Sequence, residues 1–540
     1  MKPKEQPVSH SIAFLAALAA VIFLFLLRPD SLRTLIWEFP NWADIFEEDS
    51  TLSVDQVQAL LADYHSSDSS AVEENMQSLN STSTADSTSS TGSTGSSDTT
   101  NTALDSSMAA EPRTDTISII ASAPEYTSTN YDRKAALNLL HPDLMFHGND
   151  ESFRRLSLFF TKLNEPQRTP SLHVFHFGDS QIEGDRITGD LRSRWQGTWG
   201  GEGPGFLSPL QPIPSLAMKQ KWSEGWNRYT RFGKVDSTIK HKRYGIMAAF
   251  SEYSIDADSS QPWIEFKPHP RSYQTNREFN QIQLAFGRTP AESQAIIELN
   301  GEPFETIQLE EDSVSSFYVV QLPKDSMNRS TFQSLKLKFK GESPELNAVG
   351  FGSKSGISVH NIAMRGSSGT LFRQLDREQL KSQLNAVRTE LVMLQYGGNA
   401  VPYMKDSSAV RRYGDWFASQ IRLFQSLVPN IPIVVIGPSD MATRIGTRMQ
   451  TYPMLEYLVD VLKTTAISSN ALYWDVYRVM GGRGSMAAWV ASTPPLASSD
   501  HVHFTPKGAR EIAHLFDKSL QTEWALWQAN QADQILTDQP

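Results

Sequence analysis

Seventeen consecutive residues, "SIAFLAALAAVIFLFLL" from 11 to 27, carry no charge. A run of that length reaches the lower limit for a membrane span and exceeds the usual core of a signal peptide. Lys2 and Lys4 precede it and no small-x-small cleavage site follows. It predicts an uncleaved signal anchor over residues 1–28, with its amino-terminal flank in the cytoplasm. Residues 29–130 hold a short helical pattern, "TLSVDQVQALLADY", and then fall to Ser, Thr, Asp and Gly, as in "STSTADSTSSTGSTGSSDTTNT". So few apolar positions cannot offset the entropy of an ordered backbone, so this stretch is expected to be a mostly disordered tether.

From residue 131 the pattern is that of a folded chain. "SLHVFHFGDS" opens with a mostly apolar run and predicts a buried strand, with a helix expected in "GDRITGDLRSRWQ". Between 215 and 355 short strand-like runs dominate, among them "PWIEFKP", "NQIQLAFGR", "AIIELNGEPFETIQL" and "LKLKFKG". Asn300-Gly301 between two such runs is a two-residue hairpin signal. Many short strands at this spacing predict an inserted β-sandwich over 215–355. After 356 strands and helices alternate again. "GISVHNIAM", "RTELVMLQY", "IPIVVIG" and "ALYWDVYRVMG" read as strands. "RRYGDWFASQIRLFQSLV", "MLEYLVDVLKTTAIS" and "TPKGAREIAHLFDKSL" read as helices, the last capped by Thr505 with Pro506 at its first position. The expected fold is α/β: a parallel sheet in a three-layer α/β/α arrangement, built from 131–214 and 356–540 around the insertion.

Charge placement alters one inference. The net charge is −11, but residues 1–130 account for −13, with five Lys/Arg against eighteen Asp/Glu. The remainder is close to neutral, which excludes the concentrated basic footprint of a nucleic-acid binder. The chain has no cysteine, so disulfides, thiolate metal sites and a cysteine nucleophile are excluded.

Ligands of parallel sheets bind beyond the carboxyl ends of the strands. Ser180, Gly366 and Asn399 all fall just past predicted strand ends. Acyl transfer through a serine needs a base, a group that orients the base, and donors for the oxyanion. "SSDHVHFTPKG" supplies the first two: Asp500 and His503 sit three apart at the mouth of the last helix, with His501 as the competing base. Ser180 N–H, Gly366 N–H and the Asn399 amide are the candidate oxyanion donors. No cofactor and no metal is expected.

These blocks resemble the SGNH/GDSL hydrolase superfamily: "FGDSQ" with Ser180 as nucleophile, "RGSSG" with Gly366, "GGNA" with Asn399, and "DHVHFTPKGA" with Asp500 and His503. Gln181 stands where that family usually has Leu, and Ala400 where it usually has Asp. A narrower similarity, carried by "GISVHNIAMRGSSG", "ALYWDVYRVMGGRGSMAAW" and the β-rich insertion, is to bacterial peptidoglycan O-acetylesterases. The resemblance implies an SGNH-like catalytic domain with a jelly-roll-like, carbohydrate-binding-like insertion. It implies a serine esterase acting on O-acetyl groups of envelope glycan, held at the bacterial inner membrane with its catalytic part in the periplasm. An O-acetyltransferase using the same residues, partnered by a membrane-bound O-acyltransferase, is the first alternative; a non-catalytic glycan-binding protein is the second. Trp263 and Tyr273 of the insertion are read as core rather than as sugar contacts.

Overall fold

A computed structural model describes residues 144–165, 169–254, 261–323 and 332–537. The anchor and the tether expected over 1–130 lie outside the described residues. Among the described residues no helix is long and apolar enough to cross a membrane.

The described chain opens with α1 (Asp150–Leu163), β1 (Leu172–Gly178) and α2 (Thr188–Trp199). Strands β2 (Gly205–Leu207), β3 (Met218–Trp222), β4 (Trp226–Thr230), β5 (Ala249–Tyr253), β6 (Trp263–Pro268) and β7 (Gln281–Phe286) follow. They continue with β8 (Ser293–Leu299), β9 (Glu302–Leu309), β10 (Ser316–Gln321), β11 (Leu335–Lys340) and β12 (Leu346–Gly352). The alternation then returns: β13 (Ile357–Ala363), α3 (Arg377–Ala386), β14 (Arg388–Gln395), α4 (Ser407–Leu427) and β15 (Ile433–Ile436). A hairpin of β16 (Ala442–Ile445) and β17 (Arg448–Thr451) precedes α5 (Leu455–Ser468) and β18 (Leu472–Trp474). Two short helices, α6 (Val476–Val479) and α7 (Ser485–Ala491), lead to the long α8 (Pro506–Thr537).

The main sheet is parallel throughout, in the order β13-β1-β14-β15-β18. All seven residues of β1 are buried, His173 and His176 among them, as expected of a central strand covered on both faces. Phe175 and Phe177 pack with Phe417 and Phe424 of α4 on one face, while Leu172 and Val174 join Trp195 of α2 and Phe516 of α8 on the other. Each such aromatic contributes roughly 2–3 kcal/mol by burial. Strands β2–β12 form two antiparallel sheets, β10-β7-β12-β5-β4 with β2 on β12, and β3-β6-β11-β8-β9. They enclose their own core of Phe266, Leu284, Ile297, Leu337 and Phe351, among others. This sandwich begins at β2, upstream of residue 215. Asn300 (φ 55°) and Gly301 (φ 92°) make the expected turn between β8 and β9.

Two local expectations change. The helix after β1 starts only at Thr188, because Gly184 and Asp185 take left-handed backbone angles (φ 70° and 66°). The strand read over "ALYWDVYRVMG" stops at Trp474, because Asp475 Oδ1 accepts the Arg478 N–H at 3.0 Å and caps α6.

Two buried polar links tie the sheet to its surroundings. Arg192 of α2, fully buried, grips Asp185 with two bonds of 2.7 and 2.9 Å and donates to the Val359 carbonyl of β13 at 2.6 Å. In the second link Phe206 N–H of β2 donates to His360 Nδ1 at 2.8 Å, which makes His360 Nε2 the donor to His173 Nδ1, also at 2.8 Å. His173 Nε2 then faces Ser171 Oγ at 3.3 Å, and that hydroxyl donates to the Ser353 carbonyl at 3.0 Å. Burial pushes His173 down to about 3 and His360 well below the usual histidine range, so both rings stay neutral.

Arg192→Ala leaves the Asp185 carboxylate buried without its partner. It is expected to cost about 3–5 kcal/mol in urea denaturation. A loss under 1 kcal/mol, about that of a surface ion pair, would contradict a buried role.

Candidate active site

β1 delivers Ser180 to the carboxyl edge of the sheet. At Gly178, the last residue of the strand, an added Cβ would lie 2.9 Å from the Ile182 side chain and 3.2 Å from the Gln395 carbonyl oxygen. Glycine there allows the chain to turn tightly against β14. Asp179 then folds inward, 4% exposed, and its Oδ1 accepts the Gln181 N–H at 2.9 Å. Ser180 is left half-buried at the lip of the turn.

The base arrives on the loop before α8. Asp500 Oδ1 accepts the N–H groups of Val502 (2.9 Å) and His503 (3.0 Å), which curls the segment back on itself. Asp500 Oδ2 thereby lies 2.7 Å from His503 Nδ1. With Nδ1–H donating to the carboxylate, Nε2 is left as an acceptor, and Ser180 Oγ stands 2.8 Å from it. Burial works against charge on Asp500, but the hydrogen bond and charge of His503 and the two backbone N–H groups outweigh it. They hold the carboxyl below its usual range. His501, the competing base, has φ 58° and turns its Nδ1 to the Ser499 carbonyl at 2.9 Å. The ring in contact with Ser180 is that of His503.

The expected oxyanion donors sit on three turns that follow the adjacent strands β13, β1 and β14. Asn399 and Ser180 line one small cavity of about 30 Å³, together with Tyr396, Gly398, Pro438 and Met441. Asn399 Nδ2 donates to the Ser367 carbonyl at 3.1 Å, which orients its amide, and faces Asp179 Oδ2 at 3.3 Å. Gly366 has φ 77° in the turn after β13, next to Ser367, and lies outside the residues that line the cavity. Tyr273 donates its hydroxyl to Asp190 of α2 at 2.7 Å.

Three residues passed over in the sequence complete the site. Gln181 Nε2 donates to the Val502 carbonyl at 2.6 Å and its Oε1 accepts from the Phe504 N–H at 3.4 Å. One side chain thus brackets His503 from both sides. The only signal in the sequence was an amide at a position where the resembling family has Leu. Arg186 donates to the Ser180 carbonyl and to the Phe504 carbonyl, the latter at 3.3 Å, and so joins the same two loops. Asp179 is the third. Burial pushes its carboxyl up to about 6, against the Gln181 N–H and the charges of His503 and Arg186.

Among solved structures, the chain is similar to one described as "Peptidoglycan O-acetylesterase in action, 5 min", with 19% identity over 71% of this chain and 98% of that one and a TM-score of 0.53. Looser likenesses are to the salicylyl-acyltransferase SsfX3 of a tetracycline biosynthetic pathway (14% identity, 59% of this chain and 97% of that one, TM-score 0.25). Another is to a family two carbohydrate esterase from Clostridium thermocellum in complex with cellohexaose (11%, 56% and 100%, TM-score 0.22). No family model and no curated protein matches the chain. The chain shares the fold of the first of these structures.

Gln181→Leu keeps the volume and removes both clamps on the histidine loop. A displacement of that loop is expected to lower kcat by about 10- to 100-fold with little change in KM. Unchanged kcat in steady-state kinetics would show the clamp to be dispensable. Asp179→Asn tests the buried acid. A carboxyl raised to about 6 keeps its proton in the folded state between pH 4 and 6, whereas the unfolded chain has released it. Stability is therefore lost as pH rises through that window, and the neutral amide avoids the loss. The variant should be more stable than its parent at pH 8, by at most about 2–3 kcal/mol. The gain should vanish below pH 4. A pH-independent difference in thermal melts would exclude a raised Asp179.

Proposed function

We propose that this protein is a serine esterase that removes O-acetyl groups from cell-envelope glycan. The observation that carries the proposal is the unbroken line from Ser180 Oγ to His503 Nε2 (2.8 Å) and from His503 Nδ1 to Asp500 Oδ2 (2.7 Å), beside a small cavity that Ser180 and Asn399 line together. The SGNH/GDSL-like fold supports the same reading. The uncharged 11–27 segment supports a place on the outer side of a bacterial inner membrane.

In this mechanism Ser180 Oγ attacks the acetyl carbonyl carbon while His503 Nε2 takes the hydroxyl proton. Asp500 holds the ring and stabilises its charged form. The carbonyl oxygen becomes an oxyanion and is met by Ser180 N–H, Gly366 N–H and Asn399 Nδ2. The second Asn399 N–H makes only a long bond to Asp179, which an oxyanion can replace. Collapse of the adduct expels the sugar oxygen, which takes the proton from His503. A water molecule, deprotonated by the same nitrogen, then attacks the acyl carbon; the Ser180 oxygen leaves with that proton, and acetate is released. If a sugar hydroxyl enters in place of water, the same residues perform acetyl transfer.

The test is acetate release from O-acetylated peptidoglycan and from p-nitrophenyl acetate. Ser180→Ala is expected to lower kcat by about 10⁴-fold or more. Asn399→Ala should cost about 10²- to 10³-fold, chiefly in kcat. Turnover that survives Ser180→Ala would overturn the mechanism. Acetate release that requires an added acceptor glycan would turn the assignment to transfer.

A further inference from the structure

The connection from β15 to α5, residues 437–454, is the longest that leaves the carboxyl ends of β1, β13, β14 and β15 for the following α-helix. Connections in α/β units usually take about two to six residues, so this one carries an addition. The addition is the β16–β17 hairpin. At its base Ser439 and Met441 line the cavity shared by Ser180 and Asn399, and Ala442 N–H donates to the His501 carbonyl at 3.1 Å. Its other foot is tied down by Thr451 Oγ1, which accepts the Gly484 N–H at 2.9 Å. The tip is free. Ile445 pairs with Arg448 across a Gly446-Thr447 turn, Gly446 has φ 63°, and a Cβ added there would meet nothing within 4 Å.

Tyr452 N–H donates to the Met441 carbonyl at 3.1 Å, which extends the β16–β17 register back to the cavity. Opposite residues of an antiparallel pair share a face, and the faces alternate along each strand. Met441 with Tyr452, Thr443 with Gln450, and Ile445 with Arg448 therefore lie on one face. The other face carries Ala442 and Thr451, both buried, and Met449, which packs against the core of the main sheet. That face turns toward the body of the protein, with the exposed Arg444 at its edge. The first face turns outward and runs from Met441 at the cavity to Arg448 at the tip. Among the described residues no carboxylate lies within ion-pair distance of Arg448. Those on adjoining segments have other partners: Asp500 has His503, Glu456 has Arg483 and Tyr477, and Asp440 accepts the Met486 N–H.

We propose that the outward face of this hairpin, led by Arg448, recognises a carboxylate on the alcohol half of the acetyl ester, so that the site prefers acidic substrates to neutral ones. This rests on the esterase reading. From Met441 to Ile445 the strand climbs about 13 Å, so a group held by Arg448 lies outside the cavity and belongs to the departing alcohol, not to the acetyl. A guanidinium offers a planar fork of donors that matches one carboxylate, and the exposed Gln450 on the same face can add its amide. An anionic lipid surface would call for several cations on one face, and here the second arginine is on the other.

The test compares O-acetylated oligogalacturonate with the same oligosaccharide after methyl esterification of its carboxylates, reading acetate release by the full chain in detergent. The expected kcat/KM is at least about tenfold higher for the acidic form, and the preference shrinks as salt rises. Arg448→Ala should bring that ratio to within about twofold of one, through KM rather than kcat. Arg448→Lys should keep part of it, because the charge remains and the planar fork is lost. Arg444→Ala, on the opposite face, should leave the ratio at the parent's value. A ratio near one in the parent, a ratio that survives Arg448→Ala, or equal losses from the two alanine variants would each overturn the proposal. Arg448-dependent sedimentation with phosphatidylglycerol vesicles in place of that selectivity would overturn it in favour of a lipid surface. If the unmodified chain hydrolyses neither oligosaccharide nor p-nitrophenyl acetate, the esterase reading falls. Equilibrium binding of the two oligosaccharides to the Ser180→Ala chain then decides the hairpin: an Arg448-dependent preference for the acidic form upholds the carboxylate contact, and equal binding removes it.

Discussion

The hydrogen bond from Ser180 to His503 joins residues 323 positions apart, and most of the polar structure around it serves to hold those two loops in register. A bond of this kind fails if either loop moves by an ångström. The nucleophile turn is anchored below by Arg192, which grips Asp185 and reaches the β13 backbone. It is anchored sideways by Gln181 and Arg186, four of whose five side-chain hydrogen bonds run to the serine carbonyl and to the backbone on either side of the histidine. Asp500 holds the imidazole only after its other oxygen has curled its own loop.

Sheet topology supplies the place. The order β13-β1-β14-β15-β18 means that the chain leaves β1 toward one neighbour first and returns on the opposite side of it. The crevice where the order reverses is where open parallel sheets bind ligands. Ser180 follows β1, Asn399 follows β14, and the Gly366 turn follows β13, so three separate stretches of sequence meet at one rim. The sandwich is inserted between α2 and β13, which brings its 211–216 loop against Gly184 in the same turn.

Around the site, rules that stabilise the rest of the protein are broken. Asp179 is a buried carboxyl with a raised affinity for its proton, and Asp185 is a non-glycine residue in left-handed backbone. Local conflicts of this kind are tolerated where the structure has something other than stability to satisfy.

What the sequence determined by itself was local. The mostly apolar run before Gly178 placed β1, the Asn300-Gly301 pair placed a hairpin, and Thr505-Pro506 placed the start of α8. Each of these is settled by neighbours a few residues away. The candidates Ser180, Asp500 and His503 were legible because nucleophile, acid and base fall at element ends. The three-residue spacing from Asp500 already favoured His503 over His501, and the tertiary structure adds the backbone turn that closes the pair. The strand predicted over 471–481 was cut short by the capping side chain of Asp475, a hydrogen bond that periodicity does not register. The roles of Gln181 and Asp179 depend on partners some 220 to 323 residues distant. Pairings at that range are set by how the sheets close, and no window of sequence contains both partners.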